Sequence, residues 1–174
     1  MKATLASFLC IFITTQTYAQ KDLDRNLVFF ELAKKTIEYP KVATLSSIYG
    51  RIFTKFSVTK SGKIEGVEIF YPKMANHVEK SIGFEASIKR GLKKLPLLGL
   101  GYEGTYILPI AFVFENLSEN PSMKYPDNQL PEFINTETMT VLTEIQIFSS
   151  SNRYAKPDFK GGFQPTIPSQ QIVR

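Results

Sequence analysis

Residues that could do chemistry are few in this sequence, and they are not grouped. His77 is its single histidine and Cys10 its single cysteine. A zinc site with one histidine would depend on carboxylates for most of its ligands, which zinc rarely accepts. No G-x-S-x-G sequence, the nucleophile elbow of α/β-hydrolases, is present. The sequence therefore predicts that the protein is not an enzyme and that it holds no catalytic residues and no metal.

One glycine pattern has the spacing of a phosphate-binding loop. Residues 99–104, GLGYEG, match G-x-G-x-x-G. A loop of that kind follows a strand and opens a helix, whose N-terminus receives the phosphate. Here a helix is predicted before the loop and a strand after it. We therefore interpret the pattern as a helix-to-strand connection and predict no cofactor.

Charge and aromatic placement argue against nucleic acid as a partner. The chain has 21 Lys and Arg against 16 Asp and Glu, a formal net charge of +5, and the basic residues are dispersed. Nucleic-acid binding would favour a basic stripe with interleaved aromatics. Phenylalanines such as Phe53 and Phe112 lie instead inside predicted strands, where a core recruits them. The carboxylates of Asp22 and Asp24 are interpreted as part of a solvated face.

The first residues have the pattern of a targeting segment. Lys2 precedes the apolar stretch 5–13, and small residues at Thr17 and Ala19 favour cleavage after Ala19. The apolar stretch is shorter than the ~20 residues that span a bilayer. We expect a cleaved signal peptide at 1–19, with a retained anchor as the alternative. Cleavage would remove Cys10, so the mature chain would hold no disulfide.

Hydrophobic periodicity predicts a small α+β domain with one sheet covered by helices. In Thr105–Glu115 the residue Pro109 cannot donate a ladder hydrogen bond, so this strand is predicted at a sheet edge. The predicted helices are Asn26–Ile37 and Glu79–Leu95, and the predicted strands are Gly50–Thr59, Ile64–Tyr71 and Thr105–Glu115.

The composition changes after Asn116. Residues 117–137 have the proline and polar content of a loop, and Met139–Phe148 alternates as a further strand would. The tail beyond is predicted to be flexible. The predicted organisation is a signal peptide at 1–19, an N-terminal helical segment at 20–38, a domain at 39–116 and an extension at 117–174.

An ordered series of short motifs runs from Tyr39 to Phe114. It resembles the C-terminal domain of the TonB energy-transducer family. The motifs are Tyr39-Pro40, Ala43, Gly50, Phe56-x-Val58, Ser61-Gly62-Lys63-Ile64, Val67, Glu85-Ala86, Leu95-Pro96 and Leu108-Pro109-Ile110-x-Phe112.

The resemblance implies a three-stranded antiparallel sheet packed with two helices, working in the periplasm of a Gram-negative bacterium. It also implies a partner: an extended peptide of an outer-membrane transporter or other envelope protein, added as a strand beside the third strand. The membrane would then be involved only indirectly. The binding residues implied by position in that strand are Tyr106, Leu108, Ile110 and Phe112; alternatively, this set only packs in the core.

Departures from the family pattern leave three functions open. The chain has no tryptophan, and neither a Pro-rich spacer nor a spanning helix is predicted before the domain. The first function is an exported adaptor that recognises a peptide by strand addition. The second is a structural or self-associating envelope protein, with a possible homodimer, whose edge is covered by its own C-terminal strand. The third is an energy transducer, if residues 1–19 remain as an anchor.

Overall fold

The structure is a computed structural model, and it describes residues 21–71, 81–117, 121–132, 134 and 137–151. These residues form an α+β fold with a mixed six-stranded sheet. The helices are α1 (Leu27–Thr36), α2 (Lys41–Leu45) and α3 (Phe84–Lys93), after a 3₁₀ turn at Leu23–Arg25. The strands are β1 (Gly50–Val58), β2 (Ile64–Phe70), β3 (Gly104–Asn116), β4 (Ser122–Lys124), β5 (Thr140–Val141) and β6 (Ile145–Ser151).

Strand β3 lies inside the sheet, with neighbours on both of its sides. Antiparallel β1 pairs with it from Gly50↔Phe112 to Val58↔Gly104. Parallel β6 pairs with it from Ile110↔Ile145 onward, so β1 and β6 share partners and must lie on opposite sides. Strand β4 also shares partners in β3 with β6. By the same argument β4 lies on the same side of β3 as β1, beyond the end of β1. Strand β2 lies outside β1.

The prediction that Thr105–Glu115 forms an edge strand is therefore wrong. Pro109 is tolerated because the neighbouring ladder is broken at that point. Two residues of β3 lie between Ile107 and Ile110, whereas three residues lie between their partners Val141 and Ile145. The C-terminal segment therefore has one extra residue opposite the proline. A proline without an N–H fits inside a sheet at such a bulge.

One face of the sheet packs against the helices in the main core. Residues from the 3₁₀ turn, α1, α3 and the strands β1, β3 and β6 all contribute to it. Described residues of all three predicted segments, 20–38, 39–116 and 117–174, thus contribute to one core. Helix α3 approaches the end of α1 closely, because a Cβ on Gly91 would lie 2.5 Å from Cγ1 of Ile37. Nearby, Ser87 Oγ donates to Glu38 O at 2.5 Å and accepts from Glu38 N at 3.1 Å.

The opposite face of the sheet is covered by the segment between β4 and β5. Ile134 packs on Phe53 and Ile107 there. Asn128 in the same segment is also buried, and its side-chain amide pairs with the main chain of Arg51 as a strand would. Both faces of the sheet are thus covered at its centre.

The predicted helix Asn26–Ile37 and the three predicted strands up to Glu115 are confirmed with shifted ends, whereas the predicted helix Glu79–Leu95 is interrupted at Gly83, whose φ is +86°, before α3 begins. The predicted strand Met139–Phe148 is divided into β5 and β6, and the predicted loop 117–137 contains β4. Helix α2 was not predicted. The predicted three-stranded antiparallel sheet is too small a description, since the described residues form six strands in a mixed sheet. The predicted signal peptide, His77, the start of the second helix at Glu79 and the flexible tail lie outside the described residues. Within the described ranges, no helix is long and apolar enough to cross a membrane.

We expect Gly91→Ala to destabilise the protein by about 1–3 kcal/mol, because the added methyl overlaps the backbone and side chain of Ile37. Urea unfolding of the full-length chain measures the change. Arg90→Ala, at an exposed position of the same helix, is the control and is expected within about 0.5 kcal/mol of wild type. Equal stability of the two variants would contradict the close packing of α3 on the end of α1.

Candidate functional site

The four residues predicted to bind a partner are all core residues. Tyr106, Leu108, Ile110 and Phe112 are buried on the helix-covered face. The Phe112 ring lies 4.3 Å from that of Phe84, centroid to centroid, and the Tyr106 ring stacks on Phe56 at 5.7 Å. The structure brings the four together, but their side chains do not reach the surface. A partner strand would instead pair with main-chain groups on the second side of β3, the side that faces away from β1.

That second side of β3 is occupied by the chain's own C-terminal segment. β5 pairs at Tyr106↔Thr140 and Ile107↔Val141, and β6 pairs from Ile110↔Ile145 to Asn116↔Ser151. Leu142 N donates to Ile107 O at 2.8 Å. The segment thus adds to the sheet as an extended peptide would.

Side chains of the segment alternate between the core and the surface. Leu142, Ile145 and Ile147 enter the main core, whereas Gln146 and Phe148 are exposed. Leu142 and Ile145 both point into the core although they are three residues apart, because the bulge opposite Pro109 adds one residue between them. A peptide that replaced this segment would have to supply apolar side chains at the same alternate positions.

Two polar contacts hold the connector between β5 and β6 (142–144). The Asp24 carboxylate accepts hydrogen bonds from both the main-chain N–H and the hydroxyl of Thr143, the latter at 2.9 Å. Arg51 donates to the Glu144 carboxylate, with both side chains about three-quarters buried. Each contact joins the connector to an element that is distant in sequence. The connector is thus held from both faces of the sheet.

Sequence reasoning missed Asp24, which it assigned to a solvated face. Asp22 caps the 3₁₀ turn by accepting from Asp24 N at 3.0 Å, and it pairs with Arg25 at 3.3 Å. Asp24 instead turns toward Thr143, far along the chain. No local pattern marks such a contact, because its partner is defined by the register of β5 and β6.

A separate apolar cleft of about 210 Å³ lies between α1 and the chain that follows α3. Asn26 is the one polar residue in its lining, and its side chain is engaged as the cap of α1, accepting from Phe29 N at 3.0 Å. In the part of the chain that the structure describes, the lining therefore offers no free polar side chain. The other lining residues are Val28, Phe29, Leu32, Leu95, Pro96, Leu97 and Leu98. Among the described residues, no group of three His, Cys, Asp or Glu could hold a metal ion.

The pKa values of two tyrosines, Tyr39 and Tyr106, are raised above the ordinary value. Burial, with a smaller contribution from Tyr49, raises the pKa of Tyr39, whose hydroxyl donates to Ile48 O at 2.7 Å. Burial also raises the pKa of Tyr106, with smaller contributions from Asp22 and Tyr102. Both hydroxyls stay protonated in the folded protein beyond the pH at which they ionise in the unfolded chain.

No family model, no curated protein and no solved structure matches the chain. The resemblance to the TonB C-terminal family thus stays a prediction from the sequence motifs.

We expect the free energy of unfolding to fall as the pH rises above about 10, the ordinary pKa of tyrosine, because the unfolded chain then releases protons that the folded chain keeps. The stability from this source is fully present below that pH. Each such tyrosine contributes a slope of up to about 1.4 kcal/mol per pH unit.

Urea unfolding at several alkaline pH values measures this slope. Tyr39→Phe is expected to reduce it, although the variant is less stable at neutral pH through loss of the bond to Ile48. Tyr125→Phe, at a position that is more than half exposed, is the control and is expected to keep the wild-type slope. A Tyr39→Phe slope equal to that of wild type would contradict the assignment.

Proposed function

We propose that the protein is a noncatalytic periplasmic binding module of the TonB C-terminal type, whose own β5–β6 segment occupies the peptide-binding position. The supporting observation is that this segment adds as a strand beside β3, where the resemblance implies a partner's peptide. Recognition then proceeds by exchange. An extended peptide of an outer-membrane transporter or other envelope protein replaces β5–β6.

Exchange is supported by how the segment is held at its start. β5 contributes two residues, and the ladder breaks at Pro109 before β6 begins. The bonds between Asp24 and Thr143 are exposed, so water can replace them at a cost of about 1 kcal/mol. Opening at residues 140–144 also has to break the ion pair between Arg51 and Glu144 and withdraw Leu142 from the core before it proceeds into β6.

The core defines the class of peptide that can replace the segment. Leu142, Ile145 and Ile147 together fill space beside the buried face of β3. Leaving that space empty costs on the order of 2 kcal/mol for each apolar side chain withdrawn. The incoming peptide must therefore be extended, with aliphatic side chains at the positions of Leu142, Ile145 and Ile147.

The same burial favours a second candidate function. If β5–β6 never leaves β3, the protein is a structural or self-associating component of the envelope. Ile145 and Ile147 are part of the main core, as a permanent strand would be. The two candidates differ in whether the segment exchanges under native conditions.

We expect Asp24→Ala in the full-length chain to speed amide exchange at residues 140–147 about fivefold, because the two bonds to Thr143 are lost. The opened variant is then expected to bind a fluorescein-labelled peptide with the sequence of residues 140–151, TVLTEIQIFSSS. Fluorescence anisotropy follows the association, which for wild type is expected to be about fivefold slower because its segment opens less often, whereas the affinity is expected to be similar because the peptide loses the same bonds to Asp24.

Glu31→Ala is the matched control, since it removes an exposed carboxylate of α1 that pairs with Lys34. It is expected to behave as wild type. A peptide of the same composition in scrambled order is expected to bind neither protein. If Asp24→Ala opens the segment but binds no peptide, the exchange function is wrong and the structural candidate is favoured.

A further inference from the structure

The outer side of β6 is an open sheet edge among the residues that the structure describes. Leu142 N bonds to Ile107 O, so the odd-numbered residues of β3 point their main-chain groups toward β5 and β6. Ala111 therefore bonds to Ile145 and Ile147 across its partner Gln146. It follows by alternation that Gln146, Phe148 and Ser150 point their N–H and C=O groups away from β3.

This edge lacks the features that usually prevent pairing between sheets. Strand β2, on the far side of β1, carries Glu65 and Glu68 and is kinked by a bulge where Gly66 has a φ of +63°. Such charges and bulges protect edges. Residues 145–151, IQIFSSS, contain no charged residue and no proline, and the ladder with β3 is continuous over them.

Exposed apolar side chains lie on both faces of the same edge. On one face Phe148 is 56% exposed. On the other face α2 packs on β6, with a hydrogen bond of 2.8 Å between the Thr44 and Ser149 hydroxyls, and its Val42 and Leu45 are 49% and 60% exposed. Apolar groups that border an unpaired strand on both faces mark an interaction surface.

We propose that the partner of this surface is a second copy of the chain, joined by antiparallel pairing of β6 with β6 about a two-fold axis at Phe148. The register pairs Gln146 with Ser150 of the second copy, and Phe148 with its own equivalent. All three outward-facing residues then form hydrogen-bonded pairs. The Phe148 rings meet on one face, and α2 meets its equivalent on the other.

The sequence of the edge fits this self-pairing. An isologous contact requires that one patch be complementary to itself. Because residues 145–151 are uncharged, the antiparallel copy brings no like charges together. On the face that carries Phe148, its neighbours along β6 are Gln146 and Ser150, which are both polar and uncharged. The contact requires that β6 stay paired with β3, so a peptide that replaced β5–β6 would also dissociate the dimer.

Analytical ultracentrifugation of the full-length chain over a range of concentrations tests the proposal. We expect a monomer–dimer equilibrium. Phe148→Lys places two ammonium groups at the axis and is expected to raise the dissociation constant at least tenfold. Leu97→Lys, an equally drastic change at an exposed position outside β6 and α2, is the control and is expected to leave the constant unchanged. Leu45→Lys tests the other face and is expected to weaken the dimer.

Amide exchange of Gln146, Phe148 and Ser150 completes the test. These amides are expected to become slower as the protein concentration rises, and to be fast in Phe148→Lys. A monomer at all concentrations overturns the proposal, and if these amides are nevertheless protected, residues 152–174 cover the edge instead. A dimer that survives Phe148→Lys, or one that Leu97→Lys also dissociates, overturns it as well.

Discussion

The main chain of β3 carries hydrogen-bonding groups on two sides, and both sides need partners. The strand is buried over nearly its whole length, so water cannot satisfy the groups that a missing neighbour would leave. Each buried group without a partner costs about 1–3 kcal/mol. Strand β1 pairs with one side, and β5 and β6 with most of the other. The C-terminal segment therefore belongs to the fold as much as the central hairpin does.

The pairing of β3 with β5 and β6 is interrupted opposite Pro109, and the proposed function depends on this interruption. Pro109 has no N–H to offer, and the bulge at 142–144 lies opposite it. At this point the segment depends on side chains for its attachment: Asp24 holds Thr143, and Arg51 holds Glu144. A segment whose first part is fastened by side chains can be released there without unpairing all of β6. This is the physical basis of the proposed exchange with a partner's peptide.

Local pattern predicted much of the fold but not the environment of its central strand. The periodicity of Asn26–Ile37 and the alternation of Gly50–Thr59 predict elements that form nearly as expected, because each depends on short-range contacts. The prediction of an edge strand from Pro109 was wrong because the effect of a proline depends on the opposing strand. The extra residue that accommodates Pro109 is more than thirty positions away in the chain. Asp24 and the exposed edge of β6 were missed for the same reason. The binding set at Tyr106 to Phe112 was correctly placed in a strand, but alternation alone does not tell core from surface when both faces of a sheet are covered.

Residue-resolved amide exchange along β3, measured by NMR on the full-length chain, tests most directly that this strand is paired on both sides. Ala111 and Val113 point their N–H groups toward β6, whereas Ile110 and Phe112 point theirs toward β1. All four amides are expected to be protected, with those of Ala111 and Val113 exchanging somewhat faster because β6 opens more readily than β1. Unprotected amides at Ala111 and Val113 beside slow exchange at Ile110 and Phe112 would mean that β3 has an open edge in solution, and would contradict the pairing of β3 on both sides.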